Sequence, residues 1–534
     1  MEMPSQGGWS RGRTLGLGLL SSLLLSAAMP GLLGWWPLLF VALVPLLLLC
    51  LHRPPRTSGL VGFGAGLLYH LGLLYWIVIV LGRYGGLPLW LSLAALFLLA
   101  VYMSCFSGLF CWLLSSLAGR YWHRERSIAA LVWTAPLLWV ALDYLRSFLL
   151  SGFPWMDLGY GLYSQPRLIQ AADLGGHHAV SFALVLGNGL ILAIMDRQRS
   201  DVRWNLRLER RLLLLACGFL VFIGGYSMLR YDIVSQALAS GLSSLQARVA
   251  VVQGNVDQAR KWSAQAKEQT LHAYVRLSET ALARRDTELV VWPETALPFY
   301  LQSDGLGRVV RQFVRANNIW LLTGTPSYTI RGATAATPRQ VDYYNAAALL
   351  AASGRVVGQY RKQHLVPFGE YVPLKQYLAF LEPLVAGAGD FSAGRSAAPL
   401  EMGRLRLGVL ICFESIFPEI ARQSVVQGAN LLVNLTNDAW YGRSSAPEQT
   451  LAMSVFRAVE SKRSLVRAAN TGTSALIDPL GNISQASALF EEAVLSGSVA
   501  VWERPTVFTD SGHLFGAGCL AATAAVLLFR RREF

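Results

Sequence analysis

Hydrophobic residues in this chain gather into long runs, at about 15–29, 32–51, 58–82, 87–118, 127–149, 177–196, 211–229 and 513–529. A helix needs roughly 20 apolar residues to cross a bilayer core, so the pattern predicts a membrane α-helical bundle of about eight transmembrane helices. Between the last two runs the pattern changes. Arg248–Gln253, Glu288–Trp292, Trp320–Thr323, Leu405–Ile411 and Leu431–Leu435 read as strands, with more near 474–478 and 494–501. Residues 263–285, 306–317, 415–427 and 447–469 carry helical spacing. Such alternation predicts an α/β domain of sheets layered with helices. The expected division is an N-terminal seven-helix bundle at 1–230, an α/β domain at 231–510, and a final helix with its tail at 511–534.

Composition follows this division. Hydrophobic residues make up 53% of the 534 and charged residues 15%, against roughly a quarter charged in soluble domains. The charge deficit sits in the apolar runs, and every lysine (Lys261, Lys267, Lys362, Lys375, Lys462) lies in 231–510. A net charge of +14 would suit a nucleic-acid binder, but the arginines fall in short clusters between apolar runs, as orientation charges do. Arg11 and Arg13, Arg53 and Arg56, Arg120, Arg124 and Arg126, the cluster Arg197–Arg211, and Arg530–Arg532 all share one side if each run crosses once. The opposite short loops carry little more than Arg83 and Arg167. The positive-inside rule then puts both termini in the cytoplasm and 231–510 outside; no nucleic-acid partner is expected. The first run ends in Ser26-Ala-Ala-Met-Pro30, which also fits a cleaved signal peptide, but the charge pattern closes with that helix retained.

Within the runs, Asp143 and Arg146 stand three apart, on one helical face where they can pair. An intramembrane ion pair orients a helix or marks a functional site. Gly152-Phe153-Pro154-Trp155, which follows, breaks that helix. Five of the six cysteines lie in apolar segments, and Cys412 alone lies in the α/β region, without a disulfide partner there. No Cys/His spacing suggests a metal, and no cofactor is expected.

Three residues of the α/β region invite chemistry. Glu294 ends Leu289-Val-Val-Trp-Pro-Glu294, where Pro293 stops the strand. It reads as a solvated turn glutamate or as a general base raised toward neutrality by burial. Lys362 lies in Tyr360-Arg-Lys-Gln-His-Leu-Val-Pro-Phe-Gly-Glu370 and reads as a loop lysine or as a cation for a developing oxyanion. Cys412 closes Leu407-Gly-Val-Leu-Ile411 and reads as a core cysteine or as a nucleophile, its thiolate favoured by a nearby cation or by a helix starting near Ser415.

Taken together, strand-Trp-Pro-Glu294, Tyr360-x-Lys362 with Val-Pro-Phe-Gly-Glu370, and strand-Cys412-x-Glu414 resemble the Glu-Lys-Cys triad of the nitrilase superfamily, whose fold is an αββα sandwich. The apolar runs, Gly152-Phe-Pro-Trp155, Asn437-Asp-Ala-Trp-Tyr-Gly442 and Lys261-Trp262 extend the resemblance over nearly the whole chain, to the apolipoprotein N-acyltransferase family of bacterial inner membranes. The sequence departs from that family at Phe413, often Tyr, and at Asp143, where Glu is expected.

The resemblance implies a ping-pong acyl transfer. Glu294 would take the proton of Cys412, and the thiolate would attack the sn-1 ester of a phospholipid, typically phosphatidylethanolamine. Lys362 would stabilise the oxyanion. The α-amine of a diacylglyceryl-cysteine apolipoprotein would then take the acyl group from the thioester. Glu370 and Glu414 would orient the lysine or support the cysteine region. Trp262, Asn345, Trp440 and Tyr441 are candidates for substrate contact, and Leu384–Phe391 for a shielding lid; all of these read equally as packing. Two other readings remain open at this point. One is a membrane-anchored nitrilase-type amidase, which leaves so many helices unexplained. The other is a non-catalytic membrane scaffold, which leaves the triad unexplained.

Overall fold

The computed structural model describes residues 10–121, 128–197, 206–240, 245–257, 263–283, 287–332, 340–371 and 391–529. The chain divides into two compact units. One holds the residues up to Val78, Trp90–Asp232 and the segment from Ser511 onward; the other holds Ile79–Leu89 and Ile233–Asp510.

The first unit is helical. Leu89–Ala118, Ile128–Arg146, His177–Asp196 and Arg207–Ala239 are long and apolar enough to cross a membrane. A fifth span forms if Pro55–Leu73 and Trp76–Tyr84, bent by 47°, are taken together. This does not confirm the expected count of eight, and the reasons are local. The run at 32–51 contains Pro37 and Pro45, and proline interrupts a helical hydrogen-bond ladder. It forms a 3-10 turn, Trp36–Phe40, and then a short helix, Val44–His52. The last run gives Leu514–Phe529, only 16 residues. The first gives Arg11–Ala28, whose glycines, serines and arginines dilute its hydrophobicity. The anticipated ion pair forms: Arg146 lies 3.1 Å from Asp143 and also pairs with Asp157, and His177 Nε2 lies 2.8 Å from the other Asp157 oxygen.

The second unit is built on two six-stranded sheets. The first is formed by β1 (Gln246–Gln253), β2 (Leu289–Val291), β3 (Trp320–Arg331), β4 (Gln340–Leu350), β5 (Val356–Arg361) and, from the far end of the chain, Ala493–Ala500. The second is formed by β6 (Leu400–Met402), β7 (Leu405–Ile411), β8 (Leu431–Thr436), β9 (Leu465–Ala469), β10 (Ala475–Ile477) and β11 (Ile483–Ala486), which makes Ala493–Ala500 β12. The orders are β12-β1-β2-β3-β4-β5 and β11-β10-β9-β8-β7-β6. In each, the inner strands β1-β2-β3 and β7-β8-β9 run parallel.

Side chains alternate across a strand, and both faces of the first sheet are covered. Val249, Val251, Leu289, Val291, Leu322 and Leu349 join Leu407, Val409, Ile411, Val433 and Leu435 of the second sheet in one core. Their neighbours Ala250, Val252, Val290, Leu321 and Leu350 face the helices Ala264–Leu282 and Leu306–Asn317 in another. Pro418–Val426 and Ala446–Ser461 pack on the second sheet. The result is the expected αββα sandwich, and double coverage explains why the parallel strands read as unbroken apolar runs.

Two expected helices are corrected. The run at 447–469 is a helix only to Ser461; Lys462 adopts φ 50°, and the chain enters β9. The helix expected at 415–427 is split into a 3-10 turn, Cys412–Ile416, and the helix Pro418–Val426.

Candidate active site

The three candidate residues each stand just beyond the end of a strand. Glu294 follows β2 by way of Trp292 and Pro293. Its loop lies so close to β3 that a Cβ on Gly324 would come within 2.5 Å of Pro293 O and 2.7 Å of Glu294 Cα. Only glycine allows this approach. Gly324 N donates to Pro293 O at 3.2 Å and Gly324 O accepts from Leu297 N at 3.1 Å, which clamps the loop.

Lys362 is the residue after β5, and its N–H donates to Asn345 O on β4 at 2.9 Å. Its side chain is fully buried. The ammonium lies 3.0 Å from Glu370 Oε2 and 3.7 Å from Glu294 Oε1. Burial opposes its charge, but Glu370 and Glu294, with Cys412 and Glu414, outweigh burial and hold its pKa above the usual lysine value. Asn345 Nδ2 donates to both carboxylates, at 2.8 Å to Glu294 Oε1 and 2.9 Å to Glu370 Oε1. Glu370 Oε2 also accepts from Val366 N at 2.9 Å. Glu294 Oε2 is buried and has no hydrogen-bond partner among the described residues.

Cys412 follows β7 and adopts φ 52°, a left-handed conformation that costs a non-glycine residue energy and that marks functional turns. The residue as a whole is partly exposed. Burial of the sulfur and the Glu294 carboxylate push its pKa up to about 12, while Lys362 pulls the other way. Two carboxylates and a dry environment outweigh one cation, and the anticipated helix N-terminus near Ser415 is replaced by a turn that begins at the cysteine itself. The balance of these groups disfavours the thiolate.

Glu414 is completely buried. It accepts from Tyr360 OH at 3.0 Å, Gln363 N at 2.6 Å, His364 N at 3.2 Å and Ile411 N at 2.7 Å. It thus ties the lysine-bearing strand end to the cysteine turn. Burial raises its pKa to about 7 against those hydrogen bonds and Lys362. Phe413 packs with Phe417 and His364 at ring distances of 5.2 and 5.9 Å.

Asn345 and Tyr441 join this cluster. Tyr441 is buried, and burial, then Cys412, Asp438 and Glu294, raise its pKa. Trp440 remains 36% exposed and meets Tyr84 edge-on at 5.8 Å. Trp262 and residues 384–390 of the suggested lid lie outside the described residues; Phe391 N, at the lid's end, donates to Glu370 O at 3.2 Å.

A further polar group beside the cysteine was not singled out from the sequence. Thr436 ends β8, the strand beside β7, and donates to Asp438 Oδ1 at 2.8 Å. Asp438 Oδ2 accepts from Arg467 Nη2 at 2.8 Å. The one available signal was a polar run, Asn434–Asp438, at the end of an apolar strand. Elsewhere, Asp157, His177 and His178 of the helical unit converge closely enough to hold a metal ion, but Arg146 already balances the Asp157 charge.

Comparison with known proteins assigns the chain to a family. The family model for the apolipoprotein N-acyltransferase N-terminal domain matches residues 21–190, and the carbon-nitrogen hydrolase model matches residues 248–502. An apolipoprotein N-acyltransferase of Geobacter metallireducens is 40% identical over 97% of this chain and 95% of its own length. The chain belongs to the apolipoprotein N-acyltransferase family. Relatives of the same name from Azotobacter vinelandii (35% identity, 93% of this chain and 91% of theirs) and Pseudomonas putida (32%, 95% and 94%) agree. Among solved structures, a carbon-nitrogen hydrolase from Helicobacter pylori is similar at 17% identity, with a TM-score of 0.35 over 48% of this chain and 89% of its own. A variant of a nitrilase-superfamily amidase from Nesterenkonia is similar at 21% identity, with a TM-score of 0.33 over 48% and 92%. The protein is a bacterial membrane acyltransferase of lipoprotein maturation, acting on lipid and lipoprotein substrates. The amidase and scaffold readings fall away, since the match extends through both the helical and the hydrolase-like parts.

Proposed function

We propose that the acyltransferase works through a Cys412 thioester, with Glu294 as general base and Lys362 as oxyanion stabiliser. The observation that carries this is the unpartnered, buried Oε2 of Glu294 in the cluster that holds Lys362 and is felt by the Cys412 thiol. As Cys412 attacks a phospholipid ester, its proton passes to Glu294, and the carbonyl electron pair moves onto oxygen beside the Lys362 ammonium. Collapse expels the lysophospholipid alkoxide, which takes the proton back from Glu294. The amine of the acceptor then attacks the thioester, and the thiol reforms.

In this reading, Glu370 and Asn345 fix Lys362 relative to Glu294, and Glu414 fixes the cysteine turn. Trp262, Trp440 and Tyr441 border the substrates. The donor is phosphatidylethanolamine and the acceptor a diacylglyceryl-cysteine apolipoprotein. Residues 231–510 form the catalytic domain on the periplasmic side, held by helices in 1–230 and 511–534 with both termini cytoplasmic. The arginine clusters support this orientation.

The test is acyl transfer from phosphatidylethanolamine to a diacylated lipopeptide. Cys412→Ala, Glu294→Gln and Lys362→Met should each lose at least about a thousandfold in rate while remaining folded, because residues acting as a unit fail together. A Glu294→Gln variant within a few-fold of wild type would remove the base from this scheme.

A further inference from the structure

Asp157 precedes the 3-10 turn Leu158–Leu162, and that turn is locked onto the start of the helix His177–Arg197. Gly159 N donates to Ser181 Oγ at 2.9 Å, and a Cβ on Gly159 would come within 2.8 Å of His177 O. Tyr160 stacks on the His177 ring, with centroids 4.6 Å apart and planes inclined by 15°. The His178 ring stands 4.0 Å from that of His177. Side chains at successive helical positions normally diverge, yet both imidazoles turn to one oxygen. His177 Nε2 lies 2.8 Å and His178 Nε2 3.8 Å from Asp157 Oδ2.

Two features of this corner ask for an occupant. The first is an idle nitrogen. His178 is 1% exposed, and its Nε2 has no hydrogen-bond partner among the described residues, which is costly for a buried polar atom. The second is charge. Asp143 and Asp157 are both buried beside Arg146. Arg146, which meets Asp157 through Oδ1, cancels one negative charge of the two and leaves one over. A proton on His177 would settle the charge but leave the His178 nitrogen idle. A divalent metal ion that carries a hydroxide also adds one net positive charge, and it uses the lone pair of His178.

We propose that Asp157, His177 and His178 form a metal site for a divalent transition-metal cation of the zinc class, with Asp157 Oδ2 and Nε2 of each histidine as ligands. The atoms that can serve all lie within 4.8 Å of one another. A tetrahedral ion with ligands at about 2.0–2.1 Å spaces them about 3.3 Å apart. The 2.8 and 3.8 Å separations therefore each change by about half an ångström on binding. Imidazole and carboxylate suit such ions. Water or hydroxide fills the fourth position, since zinc brings the pKa of its bound water to about 7. Arg146 stays on Oδ1 and orients the carboxylate from outside, as supporting neighbours of metal ligands do. The ion ties the Asp157 turn to the helix start, and no step of acyl transfer passes through it. An aspartate and an adjacent histidine pair farther along the chain match no common ligand spacing, so the site shows only in the fold.

The experiment uses the full-length protein in detergent, without a histidine tag, stripped with chelator and titrated with Zn²⁺ near neutral pH. Zinc per chain is counted by elemental analysis, and a melting curve is taken at each Zn²⁺ concentration. Wild type should retain one zinc per chain and melt higher with it, because an ion that binds only the folded state stabilises it. Cys412→Ala should do the same, which separates this site from the thiol. His178→Phe should bind Zn²⁺ at least about a hundredfold more weakly, beyond the roughly 10- to 100-fold that loss of a supporting neighbour costs, and its melting should not respond. If His178→Phe does not fold, Co²⁺ on the wild type gives a second reading. Intense visible bands of four-coordinate cobalt are expected, and the faint spectrum of the six-coordinate aqueous ion would overturn the proposal. A wild type that holds no zinc would overturn it too and leave a proton on His177 as the balancing charge. Zinc held at full strength by folded His178→Phe, or lost in Cys412→Ala, would likewise overturn it.

Discussion

Glu370 holds the Lys362 ammonium at 3.0 Å, closer than the 3.7 Å at which Glu294 stands. Glu370 is thus the nearer anchor of the lysine, and Glu294 is left with one oxygen unengaged among the described residues. Asn345 bridges the two carboxylates and fixes their spacing.

Removing the Glu370 charge should loosen that anchor without unfolding the domain. Glu370→Gln keeps the shape and one acceptor, so the expected result is acyl transfer slowed by about 10- to 100-fold, the scale on which small misplacements act. Lys362 would then lean toward Glu294 and tie up the base. Steady-state kinetics with a melting curve on the same preparation checks this. Unchanged kinetics would mean that Glu294 and Asn345 suffice to place the lysine.

Gly324 places Glu294 from behind. Gly324→Ala puts a methyl group within 2.5 Å of Pro293 O, so the loop must shift and carry Glu294 with it. Overpacking of this kind costs about 1–3 kcal/mol. The melting temperature should fall modestly and the transfer rate steeply. A variant that melts earlier but transfers normally would show that the Glu294 loop tolerates displacement.

The pH behaviour of Cys412 follows from its resting state. A thiol with its pKa raised to about 12 holds less thiolate at neutral pH than a free cysteine does, so without substrate it should alkylate more slowly than a free thiol. Its rate should climb about tenfold per pH unit through the alkaline range without levelling near the ordinary cysteine value of about 8.5. A plateau below about pH 9 would indicate a preformed thiolate–lysine pair and would remove the need for a base.

Much of this site was legible because its parts lie where strands stop. Trp-Pro-Glu294 and Cys412-x-Glu414 each follow a short apolar run, and such a run followed by a charged or nucleophilic residue is visible in one dimension; Lys362 follows the more polar Val356–Arg361 and was legible by its Val-Pro-Phe-Gly-Glu370 sequel instead. The strands that lack this contrast were not. Gln340–Leu350 contains Asn-Ala-Ala-Ala-Leu-Leu, whose residues, none branched at Cβ, suit a helix as well as a strand, and only pairing with β3 and β5 makes it β4. The helix break after Ser461 depends on the left-handed turn at Lys462, and nothing in the periodicity announces it. Arg467 would pass for a surface charge. Its burial is set by Asn434, Thr450, Ser454, Asp438 and Thr473, a set that only the folded chain assembles. The membrane runs were visible as runs, but prolines and short lengths decided which became long helices.

The central claim is the acyl-thioester on Cys412. The most direct measurement incubates the purified protein with phosphatidylethanolamine labelled in its sn-1 acyl chain, without acceptor, and follows label on the protein before and after neutral hydroxylamine. The account expects label on wild type that hydroxylamine removes, none on Cys412→Ala, and transfer of the label to a diacylated lipopeptide added afterwards. A folded wild-type protein that completes transfer when acceptor is present yet never carries label itself would contradict the account.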